Sequence, residues 1–352
     1  MELDERKQQI LQGVVWSYVA TAEPVGSENL AQRFTTWGVK SATIRNVLAD
    51  LAEKGYLRQP HTSAGRIPSD QGYRFYVNHL IFDAPVDPDA AQQARSELER
   101  ERDENLERIL RQTCLLLSRM THYTSVATRP LPTDTVLRQV FVTPTGANAI
   151  LLVALLSTGQ SETRLISGRA ALMADEDPSA LTAASNALNG RWATKSLADL
   201  AQASNDDLAP PADLSGAGPR EIYAILADAL RVVARMAGQE RAVVEGEREM
   251  LRQPEFHDVQ KLDPVLETIQ TRPEFVDFVN QPGRDDVTVA IGVENEFEPL
   301  RECSVVTASY YIGTRERGTL GIVGPTRMDY DHAIPAVGFM ARSLSDLLTR
   351  LS

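Results

Sequence analysis

Arg45 and Asn46 stand side by side in the stretch SATIRNVLADLAEKGYL (41–57), two residues after Thr43. Arginine can pair bidentately with guanine and asparagine with adenine, while a threonine hydroxyl can contact a base or a phosphate. These side chains crowd the first turn and a half of a predicted helix, where a merely solvated helix more often carries Glu and Lys. The stretch therefore predicts a surface that reads DNA bases.

The same stretch predicts the helix that positions these side chains. Four apolar residues recur at i, i+3, i+4 and i+7 and form one buried face: Ile44, Val47, Leu48 and Leu51. Ser41 is a favourable N-cap and Gly55 a favourable residue just beyond the C-terminus, so both ends are signalled.

The elements around this helix are those of a winged helix-turn-helix. Residues 4–20 predict a first helix, and residues 27–34 predict a short second helix capped by Ser27. After Gly55, the segment YLRQPHT has strand character and SAGR is a tight turn, which predicts a β-hairpin. A further helix over about 70–81 closes the module. Three helices followed by a hairpin is the order of a winged helix.

Further candidate DNA contacts flank the recognition helix and lie in the hairpin. Lys40 and Ser41, at the helix N-terminus, suit phosphate groups. In the hairpin, His61, Thr62 and Arg66 surround a small turn that can approach the DNA backbone or minor groove closely. The predicted DNA-binding set is therefore Lys40, Ser41, Thr43, Arg45, Asn46, His61, Thr62 and Arg66. The alternative is a winged helix used only for protein contacts, because three-helix packing recurs without DNA.

Charge is distributed unevenly along the chain. The 352 residues carry a formal net charge of −12, which by itself argues against nucleic acid. Between Arg33 and Phe75, however, seven basic side chains stand against three acidic ones: Arg33, Lys40, Arg45, Lys54, Arg58, Arg66 and Arg74 against Asp50, Glu53 and Asp70. That segment carries +4 and the remainder −16. Because local charge governs attraction to phosphate within about 8–10 Å, the pattern predicts a basic binding module on an acidic body.

No catalytic pattern accompanies these features. The five histidines are scattered, without an HExxH pair, and neither a GxSxG elbow nor a GxxxxGK[ST] loop occurs. We therefore expect no enzyme activity, no catalytic or metal-binding residues and no cofactor, and the residues of any small-molecule site are unknown. The two cysteines lack the spacing of metal ligands, and the N-terminus lacks the pattern of a signal peptide. The longest apolar run is eight residues, whereas a membrane-spanning helix needs roughly 20. These features predict a cytoplasmic protein that does not enter a membrane.

The rest of the chain predicts an α+β multidomain protein. DAPVDPD (83–89) is a domain boundary, followed by one continuous helix over 94–120. The apolar stripe of that helix suits either a helix–helix seam between molecules or packing on its own domain: Leu106, Ile109, Thr113, Leu116 and Met120. Strands lie on both sides of a helix-rich middle, which predicts one α+β domain interrupted by an insertion near 176–253.

Several of these segments resemble one known family. PVGSENLAQRF (24–34), SATIRNVLADLAEKGYLRQPHTSAGRIPSDQGYRFYV (41–77), LRQPEFHD (251–258) and CSVVTASYYIGTRERGTLGIVGPTRMDY (303–330) are similar to the heat-inducible transcription repressor HrcA family, in the right order over nearly the whole chain. The resemblance implies a homodimer with a winged helix-turn-helix domain at 1–82, a linker and connecting helix at 83–122, a GAF-like α/β domain at 123–175 and 254–352, and an inserted helical/β dimerisation domain at 176–253.

The resemblance also implies a function. Such repressors bind an inverted-repeat operator upstream of chaperonin and heat-shock operons, and the chaperonin maintains their activity until heat stress diverts it. Two alternatives stay open: a winged-helix regulator that senses a small molecule through the GAF-like domain, and an interaction protein that never touches DNA. The residues alone lead to a DNA-binding regulator and no further.

Overall fold

The computed structural model of the chain has a mixed α and β fold. It describes residues 3–35, 38–61, 64–81, 85–102, 104–129, 135–145, 148–157, 159, 161–237, 242–281, 286–313 and 316–351. Among these residues, none of the helices combines the length and the apolar character needed to cross a bilayer.

The N-terminal module follows the element order predicted from the sequence. Its elements are α1 (Glu5–Thr21), α2 (Ser27–Arg33), α3 (Ser41–Glu53), β1 (Leu57–Arg58), β2 (Ile67–Pro68) and α4 (Asp70–His79). The two short strands pair antiparallel. A core formed by α1, α2, α3 and the hairpin holds the module together: Leu3, Ile10, Leu11, Val14, Val25, Leu30, Ile44, Leu48, Leu51, Tyr56 and Leu57. The predicted buried face of α3 is therefore present.

Two helix starts differ by one residue from the prediction. Gly26 and Lys40 occupy the N-cap positions of α2 and α3, and Ser27 and Ser41 are the first helical residues. The two serine hydroxyls lie 3.1 Å apart and form a hydrogen bond with each other. This contact links the beginnings of the two helices.

The helix predicted over 94–120 is wrong as a single element. It is two helices, α5 (Pro88–Glu99) and α6 (Leu106–Thr121), which pack against each other. Asn105 is the reason for the break, because its side chain accepts a hydrogen bond from the amide of Arg108 at 3.0 Å and caps α6. Asparagine favours such caps over helix interiors. The apolar stripe of α6 packs into the core of its own chain.

A five-stranded sheet forms the centre of the body. Its strands run in the order β7-β3-β10-β9-β8, and every neighbouring pair is antiparallel: β3 (Thr124–Thr128), β7 (Ala242–Glu245), β8 (Val287–Ile291), β9 (Cys303–Ile312) and β10 (Glu316–Pro325). One face packs against α5, α6 and α14 (Tyr330–Leu351). The other face packs against α12 (Val259–Thr271) and α13 (Pro273–Val279), with α11 (Glu247–Leu251) preceding them. The body thus has a helix–sheet–helix arrangement.

The middle of the chain forms a separate core between β3 and β7. A second sheet has the order β4-β5-β6, with β4 (Leu137–Pro144), β5 (Ala149–Leu156) and β6 (Ser161–Ser167). One of its faces packs against α7 (Arg169–Glu176), α8 (Pro178–Trp192), α9 (Leu197–Gln202) and α10 (Ala217–Ala237).

This arrangement differs from the insertion expected at 176–253. The strands over 137–167 share a core with the helices that follow them, whereas β7, expected inside the insertion, pairs with β3 in the five-stranded sheet. Which strands pair depends on contacts distant in sequence, so strand character alone does not show to which sheet a strand belongs.

Candidate nucleic-acid interface

Helix α3 separates a buried face from an exposed face. Ile44, Leu48 and Leu51 are 1%, 5% and 0% exposed. The side chains of Thr43 and Arg45 lie on the other face and are exposed. Asn46 and Lys40 are also exposed, so four of the predicted contacts on α3 and at its N-cap are accessible: Lys40, Thr43, Arg45 and Asn46. We call these four residues the recognition surface.

Arg45 is suited to pairing with an external partner. Within the described part of the chain, no hydrogen bond, ion pair or ring contact engages its guanidinium. The preceding residue, Ile44, anchors the backbone by inserting into the module's core. A planar donor fork on a fixed backbone is the arrangement that bidentate recognition of a base edge requires.

Helix α3 ends at a turn that only glycine adopts easily. Lys54 is its C-cap and Gly55 follows with φ of +84°, in the left-handed region. The amide of Tyr56 then donates to the carbonyl of Leu51 at 2.9 Å, which closes the helix and aims the chain into β1. The predicted C-terminal signal is confirmed.

The hairpin holds the remaining predicted contacts. His61 is exposed, and its carbonyl accepts from the amide of Ala64 at 2.9 Å. The backbone of Arg66 forms two hydrogen bonds with Val25, at 2.8 and 2.9 Å, which attach the hairpin to the turn that leads into α2. The side chain of Arg66 is half-buried. Thr62 lies outside the described residues.

Not every basic residue of the segment is available to phosphate. Lys54 contacts Asp50 at 2.9 Å, and Lys7 approaches the same carboxylate at 3.1 Å. Hydrogen bonds from Lys54 and then Lys7 hold the pKa of Asp50 below its usual value. Arg74 contacts Glu294 in the body. The positive charge that remains for DNA is therefore concentrated on the recognition surface and the hairpin.

A joint between α4 and the body was missed by sequence reasoning. Arg74 donates from Nε to Glu294 Oε1 at 2.8 Å and from Nη2 to the carbonyl of Val289 at 2.6 Å. Asp70, one turn earlier, accepts from the amide of Val293 at 2.9 Å. Residues 292–294, which carry the acceptor Glu294, form a short 3-10 helix.

Two further contacts join the module to the body. Arg327 donates to the carbonyl of Val19 at 2.7 Å and to the carboxylate of Glu255 at 2.7 Å. Burial lowers the pKa of Arg327, but the hydrogen bond that it donates to Glu255 and the charge of that carboxylate outweigh burial, so the pKa is raised. The hydroxyl of Tyr76 donates to Asp331 at the start of α14. The module is therefore fixed through the backbone of α1 and side chains of α4, on elements other than the one that carries the recognition surface.

A polar cavity of about 660 Å³ lies beside the five-stranded sheet. Its lining includes Thr288, Thr307, Ser309 and Thr319 from the strands, with Arg317 and Asp346 at its rim. Within the described ranges, no three His, Cys, Asp or Glu side chains come together as metal ligands would.

Comparison with known proteins gives close matches. Residues 107–334 match the family described as HrcA protein C terminal domain. The chain is 37% identical over 352 residues to the heat-inducible transcription repressor HrcA of Moorella thermoacetica, covering 100% of this chain and 99% of that protein. The repressor of the same name from Brevibacillus brevis is 34% identical over 347 residues, covering 99% and 98%.

One solved structure shares the fold over the full length. It is described as "Crystal structure of a hypothetical protein at 2.2 A resolution", with a TM-score of 0.62, 22% sequence identity and coverage of 100% of both chains. The similarity therefore includes the N-terminal module and the body together.

Proposed function

The chain belongs to the HrcA family of heat-inducible transcription repressors, and from this premise we propose that it is a cytoplasmic homodimer that binds an inverted-repeat operator upstream of chaperonin and heat-shock operons. The observation that carries the proposal is the division of α3 into a buried apolar face and an exposed face bearing Thr43, Arg45 and Asn46. A helix anchored in this way can enter the major groove with its N-terminal side chains against base edges.

Each DNA-contacting residue has a distinct proposed role. Thr43, Arg45 and Asn46 contact bases, and Lys40 contacts phosphate. Ser41, half-buried against Ser27, presents the helix N-terminus to a phosphate through its backbone amide. In the hairpin, the proposed contacts are His61, Thr62 and Arg66, which reach the DNA backbone or the minor groove.

The proposed domains follow the observed cores. Residues 1–82 form a winged helix-turn-helix, and residues 83–122 connect it to a GAF-like domain built on the five-stranded sheet. Because β3 and β7 both belong to that sheet, we place the inserted domain at about 135–237, between them.

The inserted domain offers a surface for the dimer. One face of the sheet β4-β5-β6 packs on its helices, while the opposite face carries apolar side chains that include Phe141, Leu151, Val153 and Leu165. Phe141 pairs across strands with Val153, and Leu151 with Leu165, so these side chains are contiguous. Phe141 and Leu165 remain 49% and 60% exposed. Contiguous exposed apolar surface of this kind is typical of a protein interface, and a two-fold dimer matches an inverted repeat.

Selection from randomised duplexes tests the DNA-binding proposal. Freshly prepared protein is mixed with a random duplex library, and the bound fraction is amplified and sequenced over several rounds. We expect enrichment of two half-sites in inverted orientation. Enrichment of single, unpaired half-sites contradicts the dimer, and the absence of any enriched sequence contradicts specific recognition.

Control by the chaperonin requires a separate experiment. The selected duplex is titrated with protein that has been heated and cooled, with and without chaperonin and ATP. We expect chaperonin to restore the fraction of protein able to bind DNA, and an excess of an unfolded competitor to abolish that restoration. Equal recovery of DNA binding without chaperonin, with chaperonin, and with chaperonin and the unfolded competitor contradicts chaperonin control.

The polar cavity beside the five-stranded sheet supports a second candidate, a regulator that senses a small molecule. Its hydroxyl-rich lining suits a polar ligand of modest size. Such a ligand must raise the melting temperature of the protein, because it binds the folded state and not the unfolded state. It must also change operator affinity, because a regulatory ligand binds the DNA-bound and DNA-free forms with different affinities. A metabolite screen by thermal shift, followed by operator titration with each hit, tests this candidate.

A further inference from the structure

Helix α4 connects the N-terminal module to the body through two charged side chains. Asp70 and Arg74 are one helical turn apart, so they project from the same side of α4. Arg74 donates hydrogen bonds to Glu294 and to the carbonyl of Val289, while Asp70 accepts a hydrogen bond from the amide of Val293. We call these contacts the α4 joint.

The body is shaped to receive these side chains. Gly292 has φ of +55°, and a Cβ there would lie 2.1 Å from Asp70 Oδ2, so only glycine allows this approach. Glu294 also accepts from the amide of Ile291 at 2.8 Å, which fixes its carboxylate within the body before Arg74 arrives. Because the contacting groups are held in place on α4 and on the body, the joint restricts the orientation of the module relative to the body and does not only attract the two.

The α4 joint acts together with the contacts of Arg327 and Tyr76 to hold the module, and with it the recognition helix, on the body. Helix α1 packs against both α3 and α4, so α3 and the joint belong to one packed unit. The joint lies on the side of α4 and leaves Thr43, Arg45 and Asn46 exposed. It therefore orients the recognition surface without covering it.

We infer that the α4 joint sets the spacing and rotational phase of the two half-sites that a dimer of this protein accepts. The inference rests on the proposed DNA-binding function and deepens it by naming positioning residues that do not touch DNA. B-DNA repeats every 10–10.5 base pairs, so inserting one base pair turns one half-site by about 34–36° relative to the other. A rigidly held module cannot follow that rotation, whereas a loosened one can.

The experiment compares operators whose half-sites are separated by the selected spacing or by one or two base pairs more or fewer. Two variants loosen the joint from opposite sides. Arg74→Ala removes the contacts of α4 with Glu294 and the carbonyl of Val289, and Gly292→Ala displaces Asp70 from the body without changing charge. Arg6→Ala is the control, because Arg6 lies exposed on α1 of the same module and loses the same charge. Fluorescence anisotropy measures each affinity, and a duplex with a single half-site reports the recognition surface alone.

We expect the wild type and Arg6→Ala to prefer the selected spacing by about tenfold or more, since a mismatched geometry forfeits the avidity of the second half-site. In Arg74→Ala and Gly292→Ala we expect that preference to fall to about threefold or less, with the single half-site affinity within about twofold of wild type. A merely structural role would lower all affinities together, and melting curves identify a variant that does not fold.

The outcomes distinguish a failure of the inference about the α4 joint from a failure of the proposed DNA-binding function. If the wild type prefers the selected spacing and both folded variants keep that preference, the inference about the α4 joint is wrong and the DNA-binding function stands. If the wild type binds no inverted repeat, the proposed function is wrong and the inference falls with it. If Arg74→Ala loses the preference and Gly292→Ala keeps it, the contact of Asp70 with the body does not hold the module in place, and the inference about the α4 joint as a two-sided contact is overturned.

Discussion

Replacing Arg45 with alanine tests base reading by α3 most sharply. One bidentate arginine–guanine pair discriminates against the wrong base by about 1–3 kcal/mol. A dimer on an inverted repeat loses two such pairs, so the expected loss is about 2–6 kcal/mol, or roughly 30-fold to 10⁴-fold in Kd. Arg45 is exposed and has no partner within the described part of the chain, so the free energy of unfolding should change by no more than about 0.5 kcal/mol.

The assay is competition anisotropy on the selected operator and on a set of operators with single base-pair changes. For the wild type, one position of each half-site should show the full penalty for replacing guanine. For Arg45→Ala, affinity at that position should become nearly equal for all four base pairs, while penalties at other positions persist. Arg6→Ala controls for the loss of one positive charge from an exposed site on the same module.

Two results would refute this reasoning. If Arg45→Ala weakens binding to the operator and to a scrambled duplex by the same factor, Arg45 contacts phosphate and does not read a base. If the variant unfolds at a much lower temperature than the wild type, the side chain supports the fold and is not free for DNA.

Three further predictions address other parts of the molecule. Arg66→Ala should weaken binding to all duplexes alike and reduce the slope of log affinity against log salt by about two, one for each protomer of the dimer, as measured by titration at several salt concentrations; a loss confined to one base position would contradict this phosphate role. Phe141→Asp should convert the dimer to a monomer in size-exclusion chromatography with light scattering, because it places two like charges in the proposed apolar interface; Leu251→Asp, at a matched exposure of 51% against 49%, should leave the dimer intact. Burial raises the pKa of the thiols of Cys114 and Cys303, so neither should react with iodoacetamide at pH 8 until denaturant unfolds the chain, and rapid labelling of the native protein would contradict their buried position.

Local signals in the sequence predicted the recognition helix well. The 3.6-residue periodicity of Ile44, Leu48 and Leu51 and the glycine at position 55 together define a helix that ends where α3 ends. These signals are local because each depends on the backbone within one or two turns. The N-caps of α2 and α3 were displaced by one residue, and Ser27 and Ser41 bond to each other across 14 residues of chain.

Contacts between residues far apart in the sequence could not be predicted from these local signals. Arg74 and Glu294 are separated by 220 residues, and nothing near either residue indicates the other. Arg74 was counted with the residues that attract DNA, whereas it engages the body. The strands over 137–167 have the same strand character whichever sheet they join, so the limits of the inserted domain depended on pairing that only the folded chain reveals.

The central claim is that this protein recognises an inverted repeat through α3. The most direct measurement is fluorescence anisotropy of fresh protein with a labelled inverted-repeat duplex and with a scrambled duplex of equal composition, at two salt concentrations. We expect binding to the repeat to be tighter by about 10³-fold or more, with affinity for both duplexes falling steeply as salt rises. Weak and equal binding to the two duplexes, unchanged when chaperonin is present, would contradict it.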